Sequence, residues 1–211
     1  MKIARNIVTA IVLLLPLSLF AQSNEFSVFE STLNIQSTSL ADDPAITVDI
    51  EFDGQPGFGV GYNRYWTEHF STEVAVQKLT ADTKLVFSGP AVSATFDAGD
   101  VDLTTISGIA QWHFGAGRWV PYAGGGIVHV SGSANGPDDP TDPTSPVTKD
   151  DLESKTSFIA NAGIDFRITP RIALSLDGRY FSYDAVAEDD PRSEAISLDS
   201  TVLSVAVKFR F

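Results

Sequence analysis

The 211-residue sequence predicts an all-β fold, an eight-stranded antiparallel β-barrel that crosses a membrane. Three observations carry the expectation. Eight segments, each roughly ten residues long, alternate apolar and polar residues with a period of two. The connections between them are alternately short and long. The closing segment keeps its alternation up to an aromatic last residue, Phe211.

The chain begins with Lys2 and Arg5, an apolar run over residues 7–20 broken by Pro16 and Ser18, and small residues at Ala21 and Ser23. An apolar run of about 14 is short for a spanning helix of roughly 20. Residues 1–21 therefore read as an export signal and residues 22–211 as one barrel domain. Cleavage after Ser23, which gives an A-x-S pattern, stays open as the alternative. No later stretch approaches a transmembrane helix.

Segment one, about residues 25–37, has the weakest pattern. In segment two Phe58, Val60 and Tyr62 alternate with glycines and Asn63, and in segment three Val74 and Val76 alternate with Glu73 and Gln77. Segment four sets Ile106, Ala110, Trp112 and Phe114 against Ser107, Gln111 and His113. Segment five, residues 119–131, is glycine-rich, as suits a curved strand. Segment six sets Phe158, Ala160, Ala162, Ile164 and Phe166 against Asn161, Asp165 and Arg167. Segment seven sets Ile172, Leu174, Leu176 and Tyr180 against Ser175, Asp177 and Arg179. The last sets Leu203, Val205, Val207, Phe209 and Phe211 against Ser204, Ala206, Lys208 and Arg210. Successive side chains of a strand point to opposite faces, so each segment has an apolar side and a polar side.

Short connections fall at residues 67–69, 115–118 and 169–171, and long ones at about 38–54, 81–102, 132–153 and 184–194. Short turns on one side and long loops on the other characterise outer-membrane barrels. All three tryptophans (Trp66, Trp112, Trp119) lie beside short turns, with Tyr65, Phe70, Phe114, Tyr122 and Phe166 nearby, which predicts an aromatic belt at the inner water–lipid boundary. The long loops hold 20 of the 27 acidic residues, with Lys84, Lys149 and Arg192 as counter-charges. The sequence thus predicts a cell outer membrane location, contact with outer-membrane lipid and lipopolysaccharide, and an acidic extracellular side. With Lys2 and Arg5 set aside, 12 basic residues face those 27 acids, which excludes a nucleic-acid partner. The chain has no cysteine, so an exported fold must hold without disulfides.

If the apolar faces meet lipid, the lumen is lined by Glu73, Gln77, Gln111, His113, Asn161, Asp165, Arg167, Asp177, Arg179, Lys208 and Arg210. That is a polar interior. Eight strands leave a bore just wide enough for side chains to fill. Buried charges are expensive unless paired. The expectation is a connected layer with Glu73, Asp165 and Asp177 as acids and Arg167, Arg179, Lys208 and Arg210 as bases.

Several stretches resemble the OmpW family of small outer-membrane barrels. They are Pro56-Gly57-Phe58-Gly59-Val60-Gly61-Tyr62, the strand ending at Phe114 followed by Val120-Pro121-Tyr122-Ala123-Gly124-Gly125-Gly126, the run Ala162-Gly163-Ile164-Asp165-Phe166, and the closing residues 207–211. The resemblance implies passive passage of small, hydrophobic solutes across the outer membrane. The rival expectation is a closed structural or receptor barrel with a charged, packed interior and binding loops. The C-terminus also resembles the signal read by the bacterial barrel-assembly machinery, with Ser204, Ala206, Phe209 and Phe211 at its positions and Ala206 in place of the usual glycine.

Nothing in the sequence predicts catalysis, a cofactor or a metal. The three histidines, His69, His113 and His129, show no metal-ligand spacing. Gly124 to Gly126 lies inside a strand and opens no phosphate-binding helix. His129-x-Ser131 resembles the His–Ser pair of outer-membrane lipid A deacylases, but here it ends segment five and lacks the family's following Ser-Asn. If Tyr122 and Val128 face lipid, His129 points inward. The acidic run Asp138-Asp139-Pro140-Thr141-Asp142 lacks the spacing of a calcium loop and, with four prolines over residues 137–146, reads as an extended solvated segment.

Overall fold

A computed structural model of the protein describes residues 23–36, 38–43, 46–90, 93–136, 149–185 and 196–211. The expected export segment and the proline-rich acidic run lie outside the described residues. The alternation becomes nine strands: β1 (Asn24–Ile35), β2 (Thr38–Asp43), β3 (Ile46–Tyr65), β4 (Phe70–Ser88), β5 (Ser93–His113), β6 (Trp119–Asn135), β7 (Lys149–Arg167), β8 (Ile172–Ala185) and β9 (Ile196–Arg210).

Eight of them close a ring. Each of β3 to β9 pairs antiparallel with its neighbour in sequence, and β1 pairs with both β9 and β3. The closure leaves no open edge, which is the condition for a sheet to cross lipid. β2 pairs with the first part of β3 and extends that hairpin outward. At the seam the Phe211 amide donates to the Asn24 carbonyl at 2.8 Å, and the Asn24 amide donates back at 2.9 Å.

The short turns carry local signals. Thr67 Oγ1 accepts the amides of His69 and Phe70, at 3.2 and 2.9 Å. Thr169 Oγ1 repeats the device with Arg171 and Ile172, at 3.2 and 3.0 Å. A threonine hydroxyl that accepts amides two and three residues on stabilises a tight reversal. Gly115, in the third short turn, has φ +119°, where an L side chain would be strained.

The long connections are corrected. Much of what reads as loop is strand, because β3, β4, β5 and β7 run 19–21 residues. Their outer portions keep the pairing but carry polar residues on the outside, such as Asp53 opposite Asp82 and Thr80 opposite Asp102. Bulges between Gln55 and Phe58 and between Val130 and Gly132 shift the register there, so alternation read from the inner half loses phase.

The outer face is apolar over the inner and middle part of the wall: Val74, Val76, Leu174, Leu176, Leu203, Val205 and Val207 all point away from the barrel axis and stay exposed. Trp66, Trp112, Phe114 and Trp119 are exposed at the short-turn end, and Trp119 packs on Phe166 at 4.5 Å between centroids. The aromatic belt differs from expectation in two members. Tyr65 and Tyr122 turn inward and are buried, because their strand parity matches Asn63 and Val120 rather than Tyr62 and Trp119.

On β1 a carboxylate interrupts this apolar face. Glu30 is exposed on β1, opposite Phe58 of β3 on one side and Val205 of β9 on the other. A carboxylate on the lipid face costs free energy in proportion to its depth. Glu30→Val is expected to stabilise the barrel in lipid vesicles by about 1–2 kcal/mol. The check is the urea midpoint, and an unchanged or lower midpoint rules out a lipid-facing carboxylate.

Candidate functional site

The lumen is filled by two layers, one charged and one apolar. Near the short turns, β1, β4, β7, β8 and β9 turn Glu25, Glu73, Asp165, Asp177, Arg179 and Lys208 to the inside, all six no more than 6% exposed. β4 and β8 stand on opposite sides of the ring. Arg179 crosses between them. Its Nη2 donates to Glu73 Oε1 at 2.7 Å and its Nε to Asp177 Oδ1 at 2.5 Å. Asp177 Oδ2 also accepts the Tyr122 hydroxyl at 2.8 Å and the Asn161 amide at 3.2 Å. Lys208 donates to Asp165 at 2.8 Å and lies 3.9 Å from Glu25, whose other oxygen accepts Arg210 at 3.2 Å.

Aromatic rings join the two ion groups. Lys208 Nζ sits 4.6 Å above the Tyr122 ring, and the Arg210 guanidinium 4.1 Å above Tyr65. His113 stands between them, its ring centroid 4.9 Å from Tyr65 and 5.4 Å from Tyr122, with Nε2 2.8 Å from the Ser71 hydroxyl. Gln111 accepts from Asn63 at 3.1 Å, and Gln77 is buried on the same face as Glu73. Arg167 and Arg210 reach the inner mouth, where Arg167 donates to the Ala116 carbonyl at 3.1 Å. Glycines make room for this crowd. A Cβ on Gly59 would stand 2.2 Å from the Phe29 ring, and one on Gly124 would stand 2.6 Å from Asn161 Oδ1.

The interior is not polar throughout, which corrects the sequence reading. Along the same inward parity, Glu73 and Gln77 give way to Leu79 and Ala81, Asp177 and Arg179 to Phe181 and Tyr183, and Ser204 to Val202. With Leu33, Ile35, Val101, Leu103, Ile109, Val128, Val130 and Ile159 these form one apolar cluster, with Phe52 and Leu152 packed against it. An inward leucine has the same sequence signature as a lipid-facing one, so alternation alone missed this layer. Glu25 was missed for a different reason: β1 is short and its apolar face is broken by Glu30. Its alternation of Glu25, Ser27 and Phe29 with Phe26 and Val28 is the signal that places it.

The His–Ser pair is also corrected. Tyr122 and Val128 face the lumen, so His129 faces outward and is exposed. His129 Nδ1 bonds Thr156 Oγ1 at 3.0 Å, and the Ser131 hydroxyl points to the Thr104 carbonyl at 3.4 Å. Neither activates the other. Among the described residues no group of three His, Asp or Glu side chains is placed to hold a metal ion.

A closed ring of eight antiparallel strands, apolar outside, girdled by aromatics at the short-turn end and filled with side chains, defines a bacterial outer-membrane β-barrel. The chain belongs to the outer membrane protein beta-barrel domain family, whose model matches residues 7–211. It is similar in fold to the outer membrane protein OprG from Pseudomonas aeruginosa, at 11% identity and TM-score 0.64 over 90% of this chain and 96% of that one. It is likewise similar to AlkL, determined in DMPC lipid bilayers, at 14% identity and TM-score 0.56 over 92% of each chain. Ail of Yersinia pestis, solved with the heparin analogue sucrose octasulfate, gives 13% identity and TM-score 0.54 over 91% of this chain and all of that one. No curated protein matches the sequence. These neighbours are small outer-membrane barrels, in agreement with the OmpW-like motifs. The protein therefore sits in the outer membrane, among its lipid and lipopolysaccharide.

Proposed function

We propose that this protein is a closed barrel that passes neither ions nor polar solutes through its lumen and works through its outer hairpins. The observation that carries the reading is the apolar layer. Leu33, Leu79, Leu103, Val128, Val130 and Val202 come from five strands around the ring and are at most 1% exposed, above an ion-paired layer that blocks the same bore. Interiors packed this way leave few voids larger than a water molecule. The outer hairpins then present the acidic side to the medium, with the exposed pair Lys84–Asp53 at 3.3 Å and the half-buried Asp102 held by Lys78 at 3.5 Å.

A second reading, passive passage of small hydrophobic solutes, draws support from one feature. The layer nearest the medium is apolar and is bordered by the partly buried Phe52 and Leu152, a surface that an apolar molecule would enter at lower cost than a polar one. Planar-bilayer recordings and uptake of an apolar fluorescent reporter into vesicles separate the two. Conductance at the lipid baseline with no reporter uptake is the expected result. Reporter uptake without conductance would establish the second reading, and stable conductance steps would overturn the closed barrel.

The same proposal assigns β9 an assembly role through Ser204, Ala206, Phe209 and Phe211, with the barrel-assembly machinery as partner. Ser204 and Ala206 face the lumen, while Phe209 and Phe211 stack outward with centroids 6.2 Å apart. Phe211→Ser is expected to reduce folded barrel in the outer membrane several-fold, while Phe211→Tyr, which keeps the ring, does not. Equal amounts of the serine variant and the parent, compared as unheated gel bands, would remove the assignment.

A further inference from the structure

We infer that the barrel pairs in the membrane with a second copy of itself, as a two-fold symmetric dimer joined along the lipid-facing wall of β1, β3 and β4. The contact row is Glu30, Phe58 and Lys78. Glu30 of β1 is in register with Phe58 of β3, and Phe58 with Lys78 of β4, so the three side chains stand side by side on the outer wall. All three are exposed, Phe58 by 64%.

The row lies within the membrane. Followed around the ring from Asn24, the pairing returns to β1 at Asn34, so the strands lean and each row climbs from β1 towards β4. With that lean Glu30 stands about 15 Å above the inner end of the wall, inside an apolar band about 25 Å tall. An ionisable group at such a depth is expensive and is found paired or facing a cavity. Glu30 does neither: among the described residues no hydrogen bond or ion pair reaches it. Lys78 lies about 6 Å nearer the medium, a step that its flexible stem spans. Its Nζ is 3.5 Å from Asp102, but an ammonium has three donors and keeps others for a second acceptor.

The order of the row makes the patch complementary to itself. A two-fold rotation about the membrane normal preserves depth and exchanges left with right. Taken through Phe58, it sets Glu30 against the second copy's Lys78 and Lys78 against the second copy's Glu30, with the two phenyl rings between them. Two ion pairs then form where water is scarce and opposite charges attract strongly. Below the row Val28, Val60 and Val76 are in register and exposed, a flat strip on which two walls can close. Walls that meet in lipid associate through such packing and polar contacts, because the lipid tails are as apolar as the walls. In vesicles dilute in protein, where copies do not meet, the cost of Glu30 stands uncompensated.

The test measures energy transfer between copies of the folded barrel in phosphatidylcholine vesicles. The chain has no cysteine of its own, so dyes are attached through Ala116→Cys in a short turn. Transfer that saturates as the protein-to-lipid ratio rises is expected. Glu30→Gln is expected to weaken association at least about tenfold, the loss of two charge-assisted contacts. Glu30→Lys and Lys78→Glu, each alone, set like charges face to face and are expected to stay monomeric. Mixed in equal amounts they again oppose unlike charges, and a heterodimer of the two is expected. Without dye, Phe58→Cys on the axis is expected to form a disulfide between copies on mild oxidation, while Leu176→Cys, exposed on β8, is not. Unheated gel migration verifies that each variant is folded. Transfer at the level of random collision in the parent, no recovery in the mixture, or equal cross-linking through Leu176→Cys overturns the dimer.

Discussion

Arg179→Ala is expected to lower the unfolding free energy of the barrel by about 3–5 kcal/mol, the range for removing one partner of a buried ion pair. The reason lies in what remains. Arg179 is the cation that both Glu73 and Asp177 touch, and all three are buried. Its loss strands one carboxylate on each side of the lumen. Asp177 keeps Tyr122 and Asn161 as donors, whereas among the described residues Glu73 bonds Arg179 alone. Most of the cost should therefore fall on Glu73. Urea unfolding in lipid vesicles, followed by tryptophan fluorescence, measures it. Paired substitution isolates the charge effect: Arg179→Met with Glu73→Leu should be less destabilised than Arg179→Met alone, because an apolar pair replaces a broken ion pair. A loss below about 1 kcal/mol for Arg179→Ala, typical of an exposed pair, would mean that water reaches the lumen and screens these charges.

The wall was legible in the sequence because lipid imposes a strict rule on it. Leu174 and Leu176 must alternate with Ser175 and Asp177 when one side meets hydrocarbon, and three short turns must interrupt the strands where the inner boundary lies. Those turns occur at 66–69, 114–118 and 168–171. The lumen obeys no such rule. Inward positions hold Asp177 and Arg179 at one depth and Phe181 and Tyr183 at the next. Both satisfy the inside of a barrel, provided the charges find partners. Tyr122 illustrates the limit: its sequence neighbours place it near the tryptophan belt, yet its parity turns it in, where its hydroxyl completes the shell of Asp177. Outside the membrane the constraint relaxes again. β4 and β5 remain paired out to Ser88 and Ser93, but alternating polar residues with either neighbour read as loop.

Arg179 crossing the bore also bears on what seals it, since the charged and apolar layers block the same path in series. Leu79→Ala combined with Leu103→Ala is the matching change in the apolar layer. These residues face each other across β4 and β5, and both are fully buried. Leu103 fills the space above Gly132, where a Cβ would come 2.6 Å from its Cδ2. Each truncation removes transfer free energy and leaves a cavity, at about 2–5 kcal/mol for a buried leucine. Because the two side chains occupy neighbouring positions, the pair should depart from the sum of the singles. The cavity is lined by Ile, Val and Phe side chains and should stay dry. Ions should therefore remain excluded, and conductance should stay at the lipid baseline in the double variant and in Arg179→Ala alike. Only their combination, which opens both layers, is expected to conduct. Ion flow through the leucine variant alone would show that the Glu73–Arg179–Asp177 layer is not a seal, and that the apolar layer closes the barrel by itself.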